Sequence, residues 1–84
     1  MNIAFSANGW DETVFWQTTD RGILARLNNL ITACSRTQFT RTGKSEPLQG
    51  EFSGWWSRRL TDEHRLVYRV TDDTLLIAQC RRYY

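Results

Sequence analysis

Leu24, Leu27, Ile31 and Cys34 recur at steps of three, four and three, with Ile23 and Leu30 widening the stripe and Arg21, Arg26, Asn28 and Asn29 on the other side. This spacing predicts an amphipathic helix with one face that must be buried. A chain of 84 residues has room for one small core and no second domain. The rest of the chain must therefore cover that face, and residues 1–84 are expected to form a single domain.

The covering elements can be read from their periods. Asn2 to Ser6 is short and mostly apolar, and Ala7-Asn8-Gly9 follows, so it reads as a brief strand ending in a turn, with Ser6 or Asn8 available as a helix cap. Trp10 to Thr18 has helical spacing at Trp10, Val14 and Gln17, with Asp11 and Glu12 in its expected first turn. Thr19-Asp20 breaks this helix and restarts it as the amphipathic one, giving a helical hairpin. Thr37 to Gly50 holds Pro47 and two glycines and reads as a loop or an irregular lead-in to a strand.

Three β-like runs follow, Gly54 to Leu60, Arg65 to Thr71 and Leu75 to Arg82, the last two joined by an Asp72-Asp73 turn. In the middle run Leu66, Tyr68 and Val70 alternate with Arg65, Val67 and Arg69. One face therefore enters the core under the helices and the other presents Arg65 and Arg69. The expected fold is α+β: a short N-terminal strand, a two-helix hairpin, then antiparallel strands forming a twisted sheet packed against the helices.

Charge distribution narrows the partners. The formal charge is only +2, but the basic residues are ten arginines and one lysine. Residues 1–20 sum to −3, residues 21–59 to +5 and residues 60–84 to zero. Arginine grips phosphate oxygens at two points and stacks on bases, so a polyanionic partner fits. Taken singly, each arginine reads as solvated or paired with a neighbouring acid. No apolar run reaches membrane-spanning length. The first ten residues lack a basic segment followed by an apolar stretch, so no secretory signal is expected and the cytoplasm is the default location. Cys34 and Cys80 are read as reduced core residues.

Most catalytic chemistries lack their parts. A metal site needs several converging ligands, and the chain has one histidine, His64. No serine sits in a nucleophile-elbow context, and no glycine loop could cradle phosphates. What remains is Glu46, Arg59, Arg65, Arg81, Arg82, Tyr83 and Tyr84 with the pair Trp55-Trp56. A carboxylate to accept a proton, arginines to neutralise a five-coordinate phosphate and a phenol to donate or stack suffice in kind for metal-free RNA cleavage. Exposed aromatics are how single-stranded RNA is usually held.

These residues carry a resemblance. Trp10-Asp11, Phe15-Trp16-Gln17, Asp20, Glu46-Pro47-Leu48, Ser53 to Arg59, Glu63 to Tyr68, Thr71-Asp72-Asp73 and Cys80 to Tyr84 resemble the YoeB (Txe) branch of the RelE/ParE toxin superfamily. The similarity spans essentially the whole chain. It implies a RelE-like fold and a type II toxin: a ribosome-dependent, metal-independent mRNA endonuclease in which 2′-hydroxyl attack gives a 2′,3′-cyclic phosphate. It implies no cofactor. The implied partners are a cognate YefM/Phd-like antitoxin, the ribosome and mRNA, with operator DNA reached only through the antitoxin complex. A homodimer is left open, and no membrane is involved.

Carried over by position, the general base falls on Glu46, the transition-state arginine on Arg65 and a phosphate contact on Arg59, while Tyr84 matches the terminal tyrosine that positions RNA. Lys44 and Arg81 are counted with the RNA-holding groups. Two positions depart from the pattern. The family's penultimate histidine, its general acid, is Tyr83 here, and a basic residue common after the Glu-Pro-Leu segment is Gln49. Tyr83 then takes the acid's role, although an unperturbed tyrosine is a weaker acid than histidine by about 3.5 pH units, or roughly 5 kcal/mol at full transfer.

Blander readings stand beside these. On position alone Glu46 is a solvated loop carboxylate, and Arg65 pairs with Glu63 or Asp62. His64 reads as a structural or capping histidine, and of Trp55 and Trp56 one belongs to the core. Two other functions stay open: a catalytically weakened homologue acting as antitoxin-binding corepressor, and a gyrase-poisoning toxin of the ParE branch.

Overall fold

The computed structural model describes residues 1–36, 45–47 and 54–82. Their order is β1 (Asn2–Phe5), α1 (Ala7–Thr19), α2 (Arg21–Arg36), β2 (Ser45–Pro47), β3 (Trp56–Arg59), β4 (Arg65–Thr71) and β5 (Thr74–Gln79). The five strands form one sheet in the order β1-β5-β4-β3-β2. β1 runs parallel to β5, and the other pairs are antiparallel. The expected α+β architecture is thus present, with β2 as an added edge strand inside the stretch read as loop or lead-in. Pro47 is tolerated there because an edge strand can dispense with one amide donor.

Helix α1 begins at Ala7, three residues before the expected start, because Ser6 rather than Asn8 caps it. The Ser6 hydroxyl accepts the Gly9 amide at 3.0 Å and donates to the Ala78 carbonyl at 2.9 Å. Ala7-Asn8-Gly9 is therefore the first helical turn, and Asp11 and Glu12 fall beyond it. The buried face also differs. Trp10 and Val14 are 50% and 39% exposed, whereas Gly9, Thr13 and Trp16 are buried.

Close approach of helix to sheet explains the rotation. A Cβ on Gly9 would stand 2.5 Å from the Ile77 carbonyl oxygen. Glycine normally weakens a helix, so Gly9→Ala tests which effect dominates. It is expected to lower stability by about 2 kcal/mol through overpacking, outweighing the helix-propensity gain of about 1 kcal/mol. Equilibrium urea denaturation checks this, and an unchanged or raised midpoint would refute it.

Asp20 joins the two helices. Its amide donates to the Trp16 carbonyl at 3.1 Å, closing α1, and its Oδ1 accepts the Gly22 and Ile23 amides at 3.0 and 3.1 Å, opening α2. The expected stripe of α2 is buried at Leu27, Ile31 and Cys34 and half-buried at Ile23, Leu24 and Leu30. It packs with Trp16, Leu60, Leu66, Tyr68, Leu75, Ile77 and Cys80 into the core under the helices. Trp56 joins that core, as one of the tryptophan pair had to.

β4 has its expected bounds, and Asp72, with φ of 55°, makes the turn into β5. Aspartate is among the few residues that accept this left-handed conformation cheaply. β3 is shorter than Gly54 to Leu60, and β5 ends at Gln79 rather than Arg82. The early end has a local cause. Register slips between Val67 and Tyr68, opposite Ala78, and the next amide and carbonyl, those of Cys80, are taken by Glu12 and Trp16 of α1 instead of a strand.

Candidate active site

The sheet face turned away from the helices gathers the described part of the site. In register, Glu46 pairs with Ser57, Ser57 with Val67 and Val67 with Gln79, forming a row across four strands. Arg59 pairs with Arg65 one step along. Pairing of β2 with β3 thus brings the Glu46 backbone, 19 residues from Arg65 in sequence, within two strands of it. Lys44, Tyr83 and Tyr84, and the Glu46 side chain, lie outside the described residues.

Arg65 is half-buried, and its Nε donates to the hydroxyl of Ser57, which is fully buried. This contact fixes one edge of the guanidinium against the sheet. Arg59 forms an exposed ion pair with Asp62. An exposed pair of this kind contributes roughly 0–1 kcal/mol and exchanges readily for another anion. Asp62, one of the two acids considered for Arg65, is thus engaged by Arg59.

Farther along β4, Arg69 is exposed and its guanidinium lies 4.6 Å from the centroid of Trp55. It stands about 13 Å from Arg65 at the usual strand rise. This cation–π pair extends the basic face. Sequence reading had put Arg69 on the open face but had given it no role.

The segment after β5 is tied down at each residue. The Cys80 amide donates to Glu12 Oε1 at 2.7 Å, and its carbonyl accepts the Trp16 indole at 3.1 Å. The Arg81 guanidinium lies 3.8 Å from the Phe15 ring centroid. Arg82, at φ of 64°, donates its amide to His64 Nδ1 at 2.7 Å and accepts the Arg65 amide on its carbonyl at 3.2 Å. The peptide bond to Tyr83 therefore starts beside Arg65. Burial pushes the Cys80 thiol up to about 11, against which the Thr13 hydrogen bond acts only partly. Cys80 is thus a protonated core group and no nucleophile.

Sequence reasoning missed Ser57, Glu12 and the tail-holding use of His64. Ser57 was detectable in principle, since it shares strand parity with Trp55 and Arg59. The Glu12 contact spans 68 residues, and no local pattern announces it.

Comparison with known proteins agrees with this geometry. Residues 5–84 match the profile of the YoeB-like toxin of bacterial type II toxin-antitoxin systems. The chain belongs to this family. It is 52% identical to Toxin YoeB of Escherichia coli K12 with full coverage of both chains. Its fold superposes on a YoeB/ParE toxin from Agrobacterium tumefaciens with a TM-score of 0.93 and 44% identity, again over 100% of both chains. A YoeB-YefM complex from Staphylococcus aureus contains a chain that is 33% identical, with a TM-score of 0.89 and coverage of 100% of this chain and 98% of that one. The expected RelE-like architecture is therefore the fold of this YoeB-like chain. Among its described residues no helix is long and apolar enough to cross a membrane.

Proposed function

We propose that this YoeB-like toxin is a ribosome-dependent, metal-independent mRNA endonuclease. The observation that carries the reading is the pairing of Arg59 with Arg65 across β3 and β4. Two like charges directly opposed in a sheet are unfavourable, and a phosphate lying between them reverses the sign. Ser57 orients one of them, and the other is held by a weak exposed pair with Asp62 that another anion can replace.

In this reading the Glu46 carboxylate takes the proton of the RNA 2′-hydroxyl, and the 2′-oxygen bonds to its own phosphorus. Arg65 stabilises the phosphorane. The bond from phosphorus to the 5′-oxygen breaks as Tyr83 delivers a proton to that oxygen, leaving a 2′,3′-cyclic phosphate and a 5′-hydroxyl. Arg59, Lys44, Arg81 and Tyr84 hold the RNA, and the Trp55–Arg69 pair lengthens the contact. An antitoxin of the YefM/Phd type neutralises the toxin, reaches operator DNA for both, and meets the basic face with acidic charge. The site of action is the cytoplasm, and a homodimer is compatible with these roles.

Purified protein added to translating ribosomes in EDTA is expected to cut mRNA at the decoding site and leave cyclic phosphate ends. Intact message under those conditions would overturn the proposal.

Tyr83 in place of histidine favours a second reading, a weakened nuclease retained as an antitoxin-binding corepressor. Tyr83→His separates the two. If proton delivery limits the rate and is half complete in the transition state, the exchange raises cleavage on the order of 50-fold. A rise from an undetectable baseline favours the corepressor reading, whereas a rise from an already toxic baseline favours the nuclease.

A further inference from the structure

His64 occupies the junction between Arg65 and the segment that leaves the sheet. Its ring stands edge-on to Trp16, with centroids 4.7 Å apart, and Trp16 in turn holds the Cys80 carbonyl. Its own amide is fixed by the Thr61 hydroxyl at 3.2 Å, and its carbonyl accepts the Leu60 and Thr61 amides at 3.0 Å each. Backbone and ring are therefore both constrained. What the ring offers the tail is one atom, Nδ1, which accepts the Arg82 amide at 2.7 Å.

That bond is selective for protonation state. A backbone N–H can only donate, so Nδ1 must carry a lone pair, and the imidazole is neutral with its proton on Nε2. Protonating Nδ1 would set two donors against each other at the residue that already holds a left-handed φ of 64°. Such a conformation persists only when its surroundings over-determine it. For Arg82 they do so from two sides, His64 on its amide and Arg65 on its carbonyl.

We propose that neutral His64 is a positioning residue, which fixes the exit of the chain at Arg82 beside Arg65 and so sets where Tyr83 and Tyr84 begin. Its consequence for cleavage rests on the nuclease reading given above. The clamp makes activity depend on a group that is not itself in contact with RNA.

Two substitutions divide the ring from its acceptor atom. His64→Phe keeps an aromatic edge for Trp16 and removes the acceptor. His64→Asn removes the ring and leaves Oδ1 as an acceptor where Nδ1 stood. Cleavage of mRNA on programmed ribosomes at pH 7.5 is expected to fall at least about tenfold in His64→Phe, in kcat more than in KM, with most of it restored in His64→Asn.

NMR on the toxin alone provides a readout independent of activity. Imidazole nitrogen shifts should show Nδ1 unprotonated at pH 7.5, and the Arg82 amide should be protected from exchange in the wild type and lose that protection in His64→Phe. A protonated Nδ1 in the wild type, or full Arg82 amide protection and full activity in His64→Phe, would overturn the proposal. Intact NMR signatures in a protein that cuts no RNA would leave the clamp standing and remove the nuclease reading instead. Cleavage with no such signatures would do the reverse.

Discussion

Arg65→Ala is expected to reduce mRNA cleavage on the order of 10³-fold while leaving the fold intact. The magnitude is that of removing a preorganised charge aimed at a developing oxyanion. The guanidinium is held by Nε on the buried Ser57 hydroxyl, so its orientation is set before substrate arrives. Lysine cannot reproduce this, because one ammonium cannot keep the Ser57 contact and also present a fork to phosphate. Arg65→Lys should therefore recover less than a tenth of the lost rate. Leaving Ser57 without its donor costs about 1–2 kcal/mol of stability, which a thermal melt would register as a shift of several degrees. Single-turnover cleavage on programmed ribosomes measures the rate, and an Arg65→Ala protein within tenfold of wild type would rule out the assigned role.

Glu46→Gln should be comparably damaging, by about 10²- to 10⁴-fold, because the amide keeps the shape of the carboxylate and cannot accept the 2′-hydroxyl proton. The loss belongs to kcat, since nothing used to hold RNA is removed. Its pH profile adds a second check. Wild-type cleavage should fall as acid protonates the base, and the residual activity of the variant should be flat over that limb. The position supports the choice: β2 pairs Ser45 with Arg58, Glu46 with Ser57 and Pro47 with Trp56, and this register puts Glu46 on the row that meets the Arg65–Ser57 contact. Undiminished cleavage by Glu46→Gln would move the base elsewhere.

The parts of this architecture that were legible in the sequence are those governed by local periodicity. The stripe through Leu27, Ile31 and Cys34 and the alternation along Arg65 to Thr71 each reflect one element meeting one environment, and both elements are found as expected. The Asp20 break works because one side chain can cap over three residues. What was misread depends on distant contacts. Trp10 and Val14 have the spacing of a buried stripe, yet Gly9 lies against Ile77, 68 residues away, and turns a different face inward. β5 stops early because Glu12 and Trp16 compete for the Cys80 backbone, and β2 forms where a short edge strand has no hydrophobic period to announce it. At the site, the arginines could be nominated from their type. Ser57 shares their parity in the sequence, but that it orients one of them follows only from cross-strand register.

The pairing of β1 with β5 has a consequence in time. Asn2 finds its partner at Thr74 and Phe5 at Ile77, so among the described strands β1 gains its neighbour only when β5 joins the sheet. Closing a loop of that length costs roughly 4 kcal/mol of chain entropy before any contact repays it. Folding should accordingly be slow for so small a chain. Until β5 has docked, the Cys80 to Arg82 segment that seats the proposed catalytic tail has no fixed place either. Docking of β5 on β1 thus also sets when the proposed cleft can assemble, because the segment after β5 finds its seat on α1 and His64 only once that strand is in place.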